Sequence, residues 1–314
     1  MSVIIPTFNR GSRVINAIES VLRQTYTDFE VVVVDDGSTD DTSERLKPYV
    51  GRINYVYQQN RGAAAAQSKG VALATGKWVS ILGDDDEWLP TKLECQFEAL
   101  ANCREECGGC FTNCQFIMDG VLQQTIFDES GFKPQQRFGI LNDWFRHQVE
   151  RYPIIWAQSL LVQRSLFNEV GGFDENMVLH EDSDLIFRLA LKTKLCFVSD
   201  PLVWIDRTLS QSRLTELIDF WNDSQFSSRA YMYAKWLDLS GLDPEVRTRI
   251  SVIRRELLYD WMMRKLRQVR LSDAIEKASY LREIGESRSL ILSTLMMRGR
   301  RKIIRYLERG HRAT

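Results

Sequence analysis

The chain has 314 residues, 44% of them hydrophobic and 26% charged, with a net charge of -1. That supports a sizeable core in a soluble globular protein, and the length suggests one large domain plus an appendage. The near-neutral balance gives no global attraction for nucleic acid. No apolar run approaches the roughly 18–20 residues that span a bilayer. The opening MSVIIPTFNR has neither a basic leader nor a long apolar stretch, so it reads as a strand rather than a signal peptide, and a cytoplasmic location is expected.

Residues 2–6, SVIIP, form a short β-branched run. Val14, Ile15, Ile18, Val21 and Leu22 then recur at helical spacing, with Ser12 as the expected N-cap. Residues 29–34, FEVVVV, predict a strand buried on both faces. A turn at Gly37-Ser38 leads to a polar helix ending near Leu46. Residues 53–58 predict a third strand, 62–75 a helix of small residues, and 77–82 a fourth strand. Strand and helix alternate, which implies a mostly parallel sheet with right-handed crossovers.

Beyond this point the pattern changes. An amphipathic helix is expected over 89–101, and a hairpin over 110–127 around Asp119-Gly120. A strand is expected over 154–163, a loop at GGFDE (171–175), a helix over 182–193, and one or two short strands over 195–205. From about 215 the pattern is helical and basic, with 18 Lys/Arg against 9 Asp/Glu in 242–314. Trp221, Trp236 and Trp261 fall in these helices. A helical bundle is the plain reading. Arg298–Arg305 offers a second one, peripheral contact with an anionic membrane face.

Cys103, Cys107, Cys110 and Cys114 lie close together in the chain. Their spacing matches no standard zinc pattern, and Gly108-Gly109 is expected to break a helix there, so reduced, partly buried thiols are the preferred reading.

Three acidic groups carry the chemistry. In an open α/β sheet, ligands bind beyond the carboxyl ends of the strands. Asp35 and Asp36 lie at that end of the second strand, and Asp84, Asp85 and Asp86 at that of the fourth, so both clusters face one edge. Clustered carboxylates suit a hard cation, Mg²⁺ or Mn²⁺, which also binds substrate phosphates. The third group is HEDSDLIFRL, 180–189, where Glu181, Asp182 and Asp184 open a helix beside His180. A carboxylate held there toward the same edge is placed as a general base. Glu181 and Asp184 beside Asp182 would raise its proton affinity.

These stretches, VIIPTFNR, VVVVDDGSTDDT, NRGAAAAQSKGVALATGKWVSILGDDDEWLP, GGFDE and EDSDLIFRL, come in the order seen in glycosyltransferase family two, which the chain resembles over about residues 2–212. The resemblance implies a GT-A fold: a Rossmann-like, mostly parallel α/β sheet flanked by helices. It implies a catalytic domain over 1–214, with a nucleotide-sugar half to about 110 and an acceptor half over 111–214, and a helical extension over 215–314. By the resemblance, Pro6 on the opening strand and Asp36 hold the nucleotide base. Asp84 and Asp85 correspond to the region that meets ribose and metal, and Asp182 to the catalytic base.

The sequence also departs from the family. Gly83 stands where the family often has an acid, which moves the ribose contact to Asp84 and the metal to Asp85. Gln67-Ser68 replaces a frequent Arg-Asn, and DRTLSQS offers Arg207 where many members carry His. An arginine can hold a diphosphate directly. Arg207, Glu181 and His180 are the further candidates for diphosphate or acceptor contact.

The implied enzyme is an inverting, metal-dependent, hexosyltransferase-type glycosyltransferase. It uses a nucleoside-diphosphate sugar, with a UDP-sugar expected, and a saccharide or lipid-linked acceptor, in surface polysaccharide or glycoconjugate biosynthesis. A nucleotidyltransferase would need a glycine-rich, basic loop after its first strand, but PTFNRGS has only Gly11 and no Lys. A non-catalytic scaffold would have no use for Asp84, Asp85 and Asp182.

Overall fold

The computed structural model describes residues 1–103, 105–150, 153–208, 223–267 and 281. The chain divides into two units, Met1–Ser212 and Arg213–Thr314. Each is taken by itself.

The first unit is organised by four apolar strands. β1 (Ser2–Thr7) and β2 (Glu30–Asp35) are buried along nearly their whole length, as strands covered on both faces must be. With β3 (Asn54–Tyr57) and β4 (Trp78–Ile81) they form the parallel order β3-β2-β1-β4. The crossovers are α1 (Gly11–Leu22), α2 (Thr42–Leu46) and α3 (Ala63–Leu73). α1 buries Val14, Ile18 and Val21 against this sheet, but its N-cap is Arg10, and Ser12 lies inside the helix.

The rest of the unit is mixed. β5 (Asp86–Trp88) leads into α4 (Lys92–Asn102). β6 (Cys107–Met118) and β7 (Val121–Thr125) form the expected hairpin, with Asp119 and Gly120 both at positive φ in its turn. α5 (Ile126–Ser130), β8 (Phe138–Ile140), β9 (Leu160–Gln163), α6 (Arg164–Glu169), α7 (Glu181–Ala190) and β10 (Lys194–Asp206) complete it. The sheet continues β4-β9-β6-β10-β5, with β7 on β6 and β8 on β10. β9 is antiparallel to both neighbours, while β6 and β10 are parallel.

Two elements differ from the sequence reading, and a third settles between its alternatives. The strand expected over 154–163 begins only at Leu160, because Ala157–Ser159 form a 3₁₀ turn held by Ser159 and Trp156. The final short strands are one strand, β10, with register shifts around Pro201, where proline withholds a ladder donor. Gly108 and Gly109 lie within β6 and break no helix. A Cβ on Gly108 would fall 2.1 Å from Leu166, and one on Gly109 2.8 Å from the Leu161 carbonyl, so close packing requires both glycines.

In the second unit, α8 (Asp223–Leu237) and α9 (Pro244–Arg267) form a helical pair. Phe226 stacks on Trp261 at 5.9 Å between ring centroids, and the Trp261 indole donates to Asp223 at 2.9 Å. Trp236 and Trp261 are buried, so these two tryptophans serve packing. Trp221 and Arg298–Arg305 lie outside the described residues. Among the described residues, no helix is long and apolar enough to cross a membrane.

Candidate active site

Thr7, the last residue of β1, connects the two acidic clusters. Its carbonyl accepts the Asp36 N–H at 2.8 Å, and its hydroxyl donates to Asp84 at 2.7 Å. The parallel order puts β1 between β2 and β4, so one residue reaches both neighbours at the carboxyl edge. Pro6 precedes it, in register with Val34.

Asp36 is buried and bonded on both oxygens. It accepts from Gln58 at 2.7 Å and from the backbone N–H groups of Arg61 and Gly62 at 2.9 and 2.8 Å. It thereby fixes the entry to α3, where Gly62 takes φ 90°, a conformation that favours glycine. Asp35 is held by the Ser38 N–H and the Tyr55 hydroxyl, each at 2.8 Å. On α3, the buried Gln67 side-chain oxygen lacks a hydrogen-bond partner.

The three aspartates 84–86 separate. Asp84 and Asp85 follow β4 in a turn, whereas Asp86 opens β5 and accepts from Gln158 at 2.9 Å. Gly83 makes room for the turn: a Cβ there would lie 3.1–3.2 Å from carboxylate oxygens of Asp86 and Asp85. The Arg10 guanidinium spans the first two, 2.8 Å from Asp84 and 3.1 Å from Asp85, and Arg13 approaches Asp85 at 4.0 Å. Burial, with the charge of Asp85, pushes the Asp84 carboxyl up to about 6, against the opposing pull of Arg10 and Thr7. Asp85 is the more exposed carboxylate. A divalent cation fits this donor set, since Mg²⁺ and Mn²⁺ are commonly held by one or two carboxylates together with substrate phosphates.

α7 brings the third acidic group. His180, at φ 66°, is its N-cap, and Glu181 and Asp182 are its first residues. Asp182 borders a cavity of about 20 Å³ together with Ser80 and Ile81, the end of β4 that leads to Asp84. Burial, and then the charge of Asp182, push the Glu181 carboxyl well above its ordinary range. Asp184, the third acid of this turn, is held by a partner of its own. It is fully buried and paired with Arg188 through two hydrogen bonds of 3.0 and 2.6 Å. Arg188 also donates to the Val170 and Gly172 carbonyls, which ties the GGFDE loop to α7. Glu175 of that loop pairs with Arg61 at 2.7 Å, beside the Asp36 anchor.

Arg207 lies two residues beyond Ile205, the ladder partner of Asp86. Its guanidinium stacks 3.3 Å from the Phe116 ring centroid and approaches Glu129 at 3.5 Å. Ser210 and Ser212, the serines that follow Arg207 in DRTLSQS, lie outside the described residues.

Residues 2–151 match the family described as glycosyl transferase family 2. Over residues 2–151 the chain is thus similar to this family. An uncharacterized glycosyltransferase of Rickettsia prowazekii is 28% identical over 207 residues, 65% of this chain and 62% of that one. Another, of Rickettsia bellii, is 44% identical over 205 residues, 64% of this chain and 28% of that one. Glycosyltransferase GlyG of Streptococcus pneumoniae is 26% identical over 245 residues, 70% and 75% of the two chains. The chain thus spans 62% and 33% of the length of two Rickettsia glycosyltransferases, those of R. prowazekii and R. felis.

The GT-A fold is shared with solved structures. S. aureus TarS 1-349, crystallised with UDP-GlcNAc, aligns with a TM-score of 0.63 at 18% identity over 82% of this chain and 71% of that one. Mannosyltransferase PcManGT from Pyrobaculum calidifontis, in complex with GDP-Man and Mn²⁺, aligns with a TM-score of 0.56 at 18% identity over 98% and 82%. In this fold the Asp35–Asp36 and Asp84–Asp85 clusters lie at the carboxyl ends of the parallel strands β2 and β4, the edge at which open α/β sheets generally bind ligands.

Arg10 is the residue that sequence reasoning missed. It was legible only as part of VIIPTFNR, because its partners lie 74 and 75 residues away.

Proposed function

We propose that the protein is an inverting glycosyltransferase that moves a sugar from a nucleoside-diphosphate sugar, with a UDP-sugar expected, to a hydroxyl of a saccharide or lipid-linked acceptor. The observation that carries this reading is the Thr7 bridge between Asp36 and Asp84, which makes one continuous edge of the two clusters. TarS with UDP-GlcNAc and PcManGT with GDP-Man and Mn²⁺ support the donor class.

Asp36 fixes the loop 60–62 against which the nucleobase rests, and Pro6 lines the opening strand. Asp84 accepts from the ribose. Asp85 is the chief ligand of Mn²⁺ or Mg²⁺. When bound, that cation would neutralise charge on the departing diphosphate. Arg10 and Arg13, already beside Asp85, add positive charge at the same place. Arg207, Glu181 and His180 are further diphosphate or acceptor contacts.

The acceptor hydroxyl attacks the anomeric carbon on the face opposite the leaving group. Its oxygen forms the new C–O bond, the bond to the diphosphate oxygen breaks with its electron pair, and Asp182 takes the hydroxyl proton. One displacement inverts the anomeric configuration. Asp182, among the first residues of α7, is the base, and burial raises the proton affinity of Glu181 beside it. The GGFDE loop, pinned by Arg188, shapes the acceptor side.

The domain division into 1–214 and a helical extension over 215–314, and a cytoplasmic site with peripheral membrane contact through that extension, complete the proposal. Surface polysaccharide or glycoconjugate biosynthesis is the corresponding role.

A donor panel with purified protein tests it. Nucleoside diphosphate release should require Mn²⁺ or Mg²⁺, stop in EDTA, and be abolished by Asp85→Asn with the fold intact. Turnover that survives EDTA contradicts the cation's role. Release from no nucleotide sugar in the panel contradicts the reaction.

A further inference from the structure

Six cysteines are free, and three converge from separate elements. Cys103 follows the last turn of α4, its N–H donating to the Ala99 carbonyl at 3.1 Å. Cys107 opens β6, and Cys196 lies on β10, in register with Cys110. The sulfurs of Cys103, Cys107 and Cys196 all lie within 4.8 Å of one another. Among the described residues this is the one group of three or more His, Cys, Asp or Glu side chains so placed.

We propose that Cys103, Cys107 and Cys196 form a site for a thiophilic divalent cation of the Zn²⁺ class, separate from the carboxylate edge.

The donor set excludes the hard cations. Thiolates select Zn²⁺ and other soft ions, whereas Mg²⁺ and Mn²⁺ take carboxylate and phosphate oxygens. The spacing fits: Zn–S bonds of about 2.3 Å in a tetrahedron place sulfurs roughly 3.8 Å apart. The three groups therefore need only a small contraction. Ala99, Val198 and Leu202 give the cluster an apolar surround, and Cys110 packs with Cys196. Cys107 and Cys196 are buried, but Cys103 is half-buried and lines a groove of about 1020 Å³ with Asn102, Arg137 and Phe138, which provides an entry path. Thiolate is the ligand form, so binding releases one proton from each of the three thiols and needs no oxidant. The ion would join the end of α4 to β6 and β10. Sequence spacing could not suggest this trio, because Cys196 lies 89 residues beyond Cys107 and reaches it only through the parallel pairing of β6 with β10.

The test uses the full chain, reduced, in excess Mg²⁺ to fill the oxygen sites. Titration with Cd²⁺ should give a sulfur-to-metal charge-transfer band that saturates at one equivalent, and Co²⁺ should give visible bands of a thiolate site. Cys103→Ser should weaken Cd²⁺ binding at least about tenfold, as losses around metal sites commonly do, while Cys114→Ala should leave it unchanged. In the wild-type protein, one equivalent of Zn²⁺ should slow alkylation of Cys103, a measurement that does not depend on any variant folding. The proposal is overturned if no band saturates at one equivalent, if Cys103→Ser binds as wild type does, or if Zn²⁺ leaves alkylation unchanged. It is also overturned if peptide mass spectrometry finds the reduced and reisolated protein with two of the three sulfurs in a disulfide and no metal.

Discussion

Arg10 lies 2.8 Å from Asp84, and the same guanidinium nitrogen reaches Asp85 at 3.1 Å. One side chain at the start of α1 thus holds the turn after β4. The adjacent carboxylates are tolerated because a cation lies across them. The compensation is incomplete: burial still leaves the Asp84 carboxyl at about 6.

This has a consequence for pH. With its folded value above the ordinary one near 3.8, Asp84 binds its proton more tightly in the folded protein. Its contribution to stability therefore grows as pH falls from about 6 toward 4 and is lost as pH rises through 6. Asp84→Asn is expected to raise Tm at neutral pH, with the gain shrinking as pH falls from about 6 toward 4, and to weaken donor binding above pH 6, where the wild-type carboxyl is ionised. Protonation of Asp84 is expected to weaken donor binding at low pH, and Arg10→Ala, which removes the opposing pull on that carboxyl, to move this loss to higher pH. Thermal melts and calorimetry across pH check both, and a melting temperature lowered at neutral pH by Asp84→Asn contradicts the argument.

Asp36 is expected to act on donor binding through the loop it holds. Asp36→Ala removes the acceptor of the Gln58, Arg61 and Gly62 donors and should cost about 1–3 kcal/mol of stability. Donor affinity should fall with it. Unchanged affinity by calorimetry would remove Asp36 from the donor site.

Arg188 is expected to matter for more than its charge. It pairs with the fully buried Asp184 and donates to two carbonyls of the 170–172 turn. Removing one partner of a buried pair costs about 3–5 kcal/mol, so Arg188→Met should lower Tm sharply. Arg188→Lys cannot reproduce the fork and should loosen the acceptor-side loop, raising KM for acceptor while donor affinity stays constant. Equal acceptor KM in wild type and Arg188→Lys counts against this role for the loop.

The parallel half of the fold was legible because β1 through β4 are short, β-branched and separated by helical spacing, so local pattern and tertiary role agree. The edge shared by Asp36 and Asp84 followed from topology alone. Less legible were features made by distant partners. β5 exists because Asp86–Trp88 pair with β10, and Asp86 leaves the acidic cluster for that reason. Asp184 looked like a neighbour of Asp182, yet one helical turn carries Arg188 onto it instead. The run at 154–163 is apolar enough for a strand, but the Trp156–Ser159 turn shortens it.

The central claim is that Asp182 is the base of an inverting transfer. Asp182→Asn keeps the shape and removes the basic lone pair. The decisive measurement is its transfer rate against wild type, with the donor that the panel identifies and with donor binding verified for both proteins. The account predicts undiminished nucleotide-sugar binding and a fall in transfer of about 10²–10⁴-fold. Transfer by Asp182→Asn at near the wild-type rate would contradict it.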